Sequence, residues 1–265
     1  MTGFSENADL ILLEHRDNGV SWVTLNRPSK RNAMNLAART RLIEVLDECR
    51  QSKVIILTGN GPAFCAGVDL TEDASGNTGT AELDGRSTWV GVQNELRNHP
   101  SVVIAAINGF ALGGGSTLIN VADLAVAADE AQIGMPEMGF GLYSTLAGPA
   151  AQLRISRKRA AWLILTAQRI NGTTAADWGM VNASVPLSGL AITVQELADR
   201  VAGFDRAALK WSKRALWTIP DEVSQWDSAL EYGEHISKQI QSESDAFSAG
   251  LAGFRSGQRS QGQGV

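Results

Sequence analysis

Two short apolar runs, each followed directly by a glycine-bearing turn, are the feature that most restricts the fold of this chain. Residues 54–57 and 102–107 are continuously apolar and too short for helices, which predicts strands that are buried on both faces. The first run leads into residues 63–70, which include Gly67, and the second leads into three consecutive glycines at 113–115. Buried strands that alternate with helices indicate an α/β fold.

The two turns are candidates for holding a negatively charged oxygen. Peptide N–H groups at a helix N-terminus lack intrahelical acceptors, and Ser116 is predicted to cap a helix that starts after the glycines. One N–H group from each turn, pointing into the same space, would form an oxyanion hole that stabilises charge on a carbonyl oxygen. In the alternative interpretation, the glycines only permit tight turns and close packing of helix on sheet.

One carboxylate is a candidate for proton transfer. Glu137 lies between Met135, Pro136 and Met138, which would shield it from water. The alternative is a glutamate at a helix start or in a solvated loop.

Composition excludes several classes of protein. The chain has 265 residues, 44% hydrophobic and 19% charged, which predicts a globular protein of one or two domains. A net charge of −5 argues against a nucleic-acid partner. Neither a run of 18 apolar residues nor a secretory signal is found, so we expect no membrane association. Two cysteines and no zinc-type spacing predict no disulfide framework, no metal site and a cytoplasmic location.

The local patterns predict strands first and helices last. Asn18-Gly19 predicts a hairpin between residues 10–15 and 20–25, and Asn35 is predicted to cap a helix that ends near Arg50. A mobile loop is expected at 71–87. Further helices are expected at 157–166, 175–178, 194–201, 207–218 and 223–251.

Familiar nucleotide and hydrolase motifs do not occur. The sequence has no G-x-x-x-x-G-K-[ST], no G-x-G-x-x-G after a strand, no G-x-S-x-G and no H-E-x-x-H. Any chemistry must therefore come from backbone donors and a carboxylate.

Taken together, the segments resemble the enoyl-CoA hydratase/isomerase (crotonase) superfamily over nearly the whole chain. The strongest segment is Asn-Gly-Phe-Ala-Leu-Gly-Gly-Gly at 108–115. The other segments that carry the resemblance are 25–28, 31–35, 64–69, 165–166 and 175–182. The resemblance implies a spiral of β-β-α turns at 1–199, holding an acyl-CoA site, and a helical C-terminal oligomerisation region at 200–265. It also implies a homotrimer or a dimer of trimers.

The resemblance also implies roles for individual residues. The oxyanion hole would be formed by the N–H groups of Val68 and Gly114, and Glu137 falls on one catalytic glutamate of the hydratases. The positions that would contact the CoA moiety, besides Val68 and Gly114, are Arg31, Ala33, Ala66, Asp69 and Leu70. No cofactor is implied beyond the CoA of the substrate. The side chain of Asp69 is more readily explained as a structural group, like that of Asp123.

Three departures from the family pattern bear on function. Thr117 occupies the position of the second glutamate of two-glutamate hydratases, and Thr145 the position of a related dehalogenase's aspartate. The common Lys-Arg-x-Pro ending is absent. The CoA 3′-phosphate would then be bound by Arg255 and Arg259, or by Lys213 and Arg214.

These observations leave three interpretations of function. The first is double-bond chemistry of an enoyl-CoA, hydration or Δ3-Δ2 isomerisation, through a thioester enolate with Glu137 as proton carrier. The second is a hydratase-lyase acting on a hydroxycinnamoyl-type acyl-CoA, with the Thr117 hydroxyl helping to orient water. The third is a catalytically degenerate protein that binds acyl-CoA or a partner.

Overall fold

The computed structural model describes residues 10–69 and 88–256. The strands of this part of the chain form two sheets. The larger sheet has the order β1-β2-β3-β5-β7-β9 and the smaller one β4-β6-β8. The strands are β1 (Ile11–His15), β2 (Val20–Leu25), β3 (Val54–Gly59), β4 (Ala63–Cys65), β5 (Val102–Ile107), β6 (Phe110–Leu112), β7 (Leu124–Ala128), β8 (Gln132–Gly134) and β9 (Ala183–Val185).

Successive strands alternate between the two sheets, and this alternation generates the predicted spiral. β3 continues into β4, β5 into β6, and β7 into β8, with parallel pairing in both sheets. The exception is the N-terminal hairpin, in which β1 pairs antiparallel with β2 around Gly19 at a φ of +80°. The predicted hairpin and the predicted α/β spiral of β-β-α turns are therefore confirmed.

Helices cover the sheets and then form the C-terminal part of the chain. They are α1 (Leu36–Glu48), α2 (Trp89–Asn98), α3 (Gly114–Val121), α4 (Gly148–Arg154), α5 (Arg157–Thr166), α6 (Gly172–Asp177), α7 (Leu187–Ala202), α8 (Arg206–Glu222), α9 (Trp226–Glu243) and α10 (Ala246–Arg255). The side chain of Asn35 accepts a hydrogen bond from the N–H of Ala38, as predicted for the cap of α1.

Two predictions about helices were wrong. Ser116 does not cap α3, because the helix begins two residues earlier and Gly113, at a φ of +53°, takes the cap position. The helix expected at 223–251 is two helices, since the backbone of Ser244 is extended and separates α9 from α10. The predicted division at 199/200 lies inside α7, and the expected loop at 71–87 lies outside the described residues.

A buried ion pair joins α8 to the spiral. Lys213 Nζ lies 2.8 Å from Asp123 Oδ2, and the same ammonium donates to the carbonyl oxygens of Leu96 and Ser101 at 2.9 Å. Asp123 also accepts from the indole of Trp217 at 2.9 Å. Both charges are buried and each is satisfied by several partners, which is the condition under which a buried pair is tolerated.

His99 is buried beside this ion pair as a neutral ring. Its Nδ1 accepts from the N–H of Ser101 at 3.1 Å, so the proton sits on Nε2, which donates to the carbonyl of Leu46 at 2.9 Å. Burial is the main cause that lowers the pKa of His99 to about 4.

Neither a membrane-spanning helix nor a metal cluster is found in the described part of the chain. None of its helices is both long and apolar enough to cross a bilayer. Residues 10–69 and 88–256 bring together no group of three histidine, cysteine or acidic side chains that could hold a metal ion.

We predict that the free energy of unfolding falls by about 2 kcal/mol when the pH is lowered from 7 to 5, and that His99 causes this fall. In the unfolded chain a histidine takes up its proton near pH 6.5, whereas the folded ring stays neutral down to about pH 4. Between these values the unfolded state binds more protons, so acid favours it. Urea titrations at the two pH values measure the change. The His99→Gln variant, which cannot be protonated there, should lose most of this pH dependence; an unchanged slope would assign the effect to other groups.

Candidate functional site

The two glycine-bearing turns are in contact. Gly67 has a φ of +91°, and a Cβ built on it would lie 2.9 Å from the nitrogen of Gly114 and 2.8 Å from the carbonyl oxygen of Leu112. A side chain at this position would have to displace backbone atoms, which cannot move without shifting β6 or α3. The segment that carries Val68 therefore lies directly against the start of α3.

The backbone of Val68 pairs with that of Met34, and this pairing directs the N–H of Val68 away from the segment that contains Met34. Met34 donates its N–H to the carbonyl of Gly67 at 2.8 Å, and its carbonyl accepts from the N–H of Asp69 at 3.3 Å. In such a parallel bridge the N–H of the central residue, Val68, points to the other side. Gly114 is the first residue of α3, so its N–H has no acceptor within the helix. The two predicted donors thus belong to touching turns.

Glu137 lies against the same turn. It sits in a short 3₁₀ helix, Pro136–Phe140, and a Cβ built on Gly113 would be 2.8 Å from its Oε1. The other carboxylate oxygen, Oε2, accepts a hydrogen bond of 2.5 Å from the hydroxyl of Ser144. The carboxylate is half-buried. The structure therefore places one carboxylate oxygen beside the residue that precedes Gly114, and fixes the other.

Thr117 lies one turn into α3 and is completely buried. Its hydroxyl donates to the carbonyl of Gly113 at 3.5 Å, a long hydrogen bond within the helix. The hydroxyl is therefore directed along the helix backbone.

The predicted CoA-contacting residues occupy two paired loop segments. The N–H of Ala66 donates to the carbonyl of Arg31 at 2.9 Å, so Ala66 and the segment containing Ala33 are held together. Arg31 is exposed, and its guanidinium lies 5.2 Å from the centre of the Phe110 ring. Asp69 is buried and forms an ion pair of 3.1 Å with Arg27, so its side chain anchors the loop. Leu70 lies outside the described residues.

The expectation that Lys213 could bind the CoA 3′-phosphate was wrong. Lys213 is 3% exposed, and its ammonium is occupied by Asp123 and two carbonyl groups. It cannot reach a phosphate without breaking a buried ion pair. Arg214 is exposed and donates to Asn98, Arg255 is exposed at the end of α10, and Arg259 lies outside the described residues.

Sequence reasoning missed two side chains of this site. Ser144 precedes Thr145 in a segment without helical or strand periodicity, and the local sequence does not predict that its hydroxyl donates to Glu137. Trp89 is 3% exposed, and a Cβ on Gly114 would meet its indole ring at 2.7 Å. No local pattern points to this contact of Trp89, because its partner is 25 residues away.

Comparison with known proteins identifies the family of the chain and agrees with this fold. A model of the enoyl-CoA hydratase/isomerase family matches residues 15–256. The chain therefore belongs to the enoyl-CoA hydratase/isomerase (crotonase) family of enzymes. The crystal structure of enoyl-CoA hydratase from Mycobacterium smegmatis superimposes with a TM-score of 0.84 at 25% identity, over 94% of this chain and 97% of that one.

Relatives with different named activities are similar to this chain at comparable levels. Hydroxycinnamoyl-CoA hydratase-lyase of Pseudomonas fluorescens is 34% identical, over 74% of each chain. Short-chain-enoyl-CoA hydratase of Clostridium acetobutylicum is also 34% identical, over 78% of this chain and 80% of the relative. 1,2-Epoxyphenylacetyl-CoA isomerase of Escherichia coli is 31% identical, over 92% of this chain and 94% of the relative. These similarities support acyl-CoA chemistry without selecting one reaction.

We predict that Gly67→Ala destabilises the protein by at least about 1 kcal/mol more than Gly179→Ala does. Both glycines have a positive φ, +91° and +74°, so both substitutions carry similar backbone strain. A Cβ at Gly179 meets nothing within 4 Å, whereas one at Gly67 crowds Leu112 and Gly114. Urea-induced unfolding of the two variants isolates the cost of the contact. Equal losses of stability would show that the two turns do not touch as described.

Proposed function

We propose that this enzyme moves a double bond in an acyl-CoA thioester, converting a 3-enoyl-CoA into the 2-enoyl-CoA through an enolate. The observation that carries the proposal is the arrangement of one carboxylate, Glu137, beside the turn of Gly113 and Gly114. A reaction with one proton carrier and one stabilised oxygen requires these groups and no second carboxylate.

The backbone donors would hold the thioester oxygen. The N–H groups of Val68 and Gly114 belong to touching turns, and a charge that develops on the oxygen would be stabilised by both. Loss of one such donor in an oxyanion hole typically costs about 3 to 4 kcal/mol of transition-state stabilisation.

Glu137 would carry the proton. Its Oε1 takes a proton from carbon 2, the electron pair of that C–H bond forms the C1–C2 double bond of a dienolate, and the carbonyl pair becomes the charge on the thioester oxygen. When the carbonyl re-forms, the C1–C2 pair becomes the new 2,3-double bond, and the pair of the former 3,4-double bond takes the proton back from the same carboxyl group at carbon 4. The hydrogen bond from Ser144 to Oε2 would leave Oε1 available to the substrate.

The burial of Thr117 and the direction of its hydroxyl favour isomerisation over hydration. Hydration requires a held water molecule, and in two-glutamate hydratases the second carboxylate occupies this position. Here the hydroxyl of Thr117 is buried and directed at the carbonyl of Gly113. A hydratase-lyase acting on a hydroxycinnamoyl-type acyl-CoA is the second candidate, because the relative from Pseudomonas fluorescens is named for that reaction.

We further propose a cytoplasmic homotrimer or dimer of trimers that needs no cofactor beyond the CoA of its substrate. The C-terminal helices expose large apolar side chains, among them Trp226, which is 76% exposed, and Phe247, which is 56% exposed. Subunit contacts would cover such side chains. Light scattering coupled to gel filtration would measure the mass, and a monomer would contradict this assembly.

We predict that Glu137→Gln lowers kcat for a 3-enoyl-CoA by at least about 100-fold, with a small change in KM. The amide cannot accept and return the proton, while the backbone donors still bind the thioester. Conversion of 3-hexenoyl-CoA is followed beside crotonyl-CoA and a hydroxycinnamoyl-CoA. Glu130→Gln, at an exposed turn, serves as the control and should retain full activity.

The comparison of substrates separates the alternatives. Turnover of crotonyl-CoA or of hydroxycinnamoyl-CoA in preference to 3-hexenoyl-CoA would replace isomerisation by hydration or by the hydratase-lyase reaction. Binding of all three thioesters without turnover would support a catalytically degenerate protein. Full activity of Glu137→Gln would remove Glu137 from the mechanism.

We predict that Ser144→Ala lowers kcat about tenfold and leaves KM nearly unchanged, because a carboxylate released from its donor samples unproductive orientations. Ser144→Thr keeps the hydroxyl and should recover most of the rate. Ser156→Ala, at an exposed helix start without a side-chain cap, is the matched control. A rate for Ser144→Ala equal to that of the control would show that the hydrogen bond has no part in the reaction.

A further inference from the structure

A cavity of about 200 Å³ lies beside the proposed active site and is not used by the mechanism above. It is half-open to solvent and is lined by residues of α2, α3 and α4 and by Trp217 of α8. The residues of α2 that line it are spaced three or four apart, as on a single helix face. They are Val90, Gln93, Asn94 and Arg97. The cavity therefore extends along the length of α2.

The near end of this cavity adjoins the reacting groups. Val90 follows Trp89, whose ring packs against Gly114, and Thr145 follows Ser144, which donates to Glu137. Both Val90 and Thr145 line the cavity. Two residues that line the cavity are thus chain neighbours of side chains that contact Gly114 and Glu137.

The far end lies at a distance that an acyl chain can span. Asn120 lines the cavity six residues beyond Gly114 on α3, and six residues of helix rise about 9 Å. Extended carbon chains advance about 1.3 Å per bond, since C–C bonds are about 1.5 Å long. Acyl groups of roughly six to eight carbons would thus reach from the thioester to the far end.

The far end is cationic. The guanidinium groups of Arg97 and Arg154 lie 4.5 and 4.4 Å from the centre of the Trp217 ring. Both pair with the same carboxylate, Asp221, with Arg154 at 3.5 Å. Two cations that share one anion leave one positive charge unbalanced. Arg214 and Glu222, which line the neighbouring depression beside Arg97, offset each other.

Side chains that can donate hydrogen bonds accompany this cationic end. Gln93, Asn94 and Asn120 carry amide groups and line the same cavity. The amide nitrogen of Asn120 already donates to the carbonyl of Ser116 at 3.0 Å, so Gln93 and Asn94 are the amides with donors to offer a ligand. A carboxylate terminus would accept hydrogen bonds from these amides and from the guanidinium groups, whereas an apolar acyl terminus offers them no acceptor.

We propose that this cavity is the subsite for the distal part of the acyl group, and that it selects acyl-CoA thioesters whose acyl chain ends in a carboxylate. The proposal rests on the proposed function only in placing the thioester at Gly114. The terminal carboxylate accepts from Arg97 and Arg154 and balances the excess charge, and charge-assisted hydrogen bonds of this kind are the strong ones.

The experiment measures binding of unreactive, saturated thioesters, so that it does not depend on turnover. Calorimetry compares hexanedioyl-CoA, 6-hydroxyhexanoyl-CoA and hexanoyl-CoA on the full chain. We expect hexanedioyl-CoA to bind at least about tenfold more tightly than the other two. Equal affinities for the three would overturn the proposal, and equal binding of the hydroxyl and carboxylate termini would overturn its assignment of charge.

Variants locate the selectivity. Arg154→Gln should bring the affinity ratio of hexanedioyl-CoA to hexanoyl-CoA to within about twofold of unity, because one of the two cations is lost. Arg157→Gln, exposed at the start of α5 and outside the cavity, should keep the wild-type ratio. Gln93→Leu, which leaves the Asp221 pairing intact, should lower the ratio severalfold and guards against misfolding of the arginine variant. A wild-type ratio retained in both Arg154→Gln and Gln93→Leu would place the carboxylate elsewhere.

Failure of this inference and failure of the proposed function give different results. If the enzyme isomerises 3-hexenoyl-CoA but binds the three saturated thioesters equally, the function stands and the subsite does not. If hexanedioyl-CoA binds selectively but no 3-enoyl-CoA is converted, the subsite stands and the reaction does not.

Discussion

Direct contact between backbone atoms of successive turns is the constraint on which the rest of the molecule depends. A Cβ on Gly115 would lie 1.9 Å from the carbonyl oxygen of Cys65, and one on Gly67 would lie 2.9 Å from the nitrogen of Gly114. No side chain fits between these segments, so glycine is required where the chain passes from one turn of the spiral to the next. The same contact brings the segments of Val68 and Gly114 together, so the packing also positions the two donors of the proposed oxyanion hole.

The carboxylate is positioned by parts of the chain that are separate in sequence. Glu137 is presented by a short 3₁₀ helix, its Oε1 lies against Gly113 of the β6–α3 turn, and its Oε2 is held by Ser144. A group restrained from two sides loses little further freedom when substrate binds, which favours proton transfer at a defined atom. The proposed reaction would therefore depend on how Glu137 is held as much as on its identity.

Local signals were sufficient for most of the fold, whereas contacts between distant segments were not predictable. The Asn18-Gly19 hairpin and the buried runs that became β3 and β5 follow from short-range preferences. The family resemblance placed Glu137 and the two turns. The burial of Lys213 depends on Asp123, a carboxylate 90 residues away, and nothing in the local pattern separates such a lysine from an exposed one. Ser144 was missed for the same reason, because its role exists only in the folded turn.

The Lys213–Asp123 pair makes the C-terminal helices inseparable from the spiral. If α8 left its place, Asp123 would lose the ammonium of Lys213 and the indole donor of Trp217 and keep the N–H of Val103, and the carbonyl groups of Leu96 and Ser101 would lose the Lys213 donor. A related spiral could therefore accept these helices only if it already carried an acidic residue to pair with Lys213. In genetic terms, the C-terminal helices depend on Asp123, a residue encoded far upstream of them.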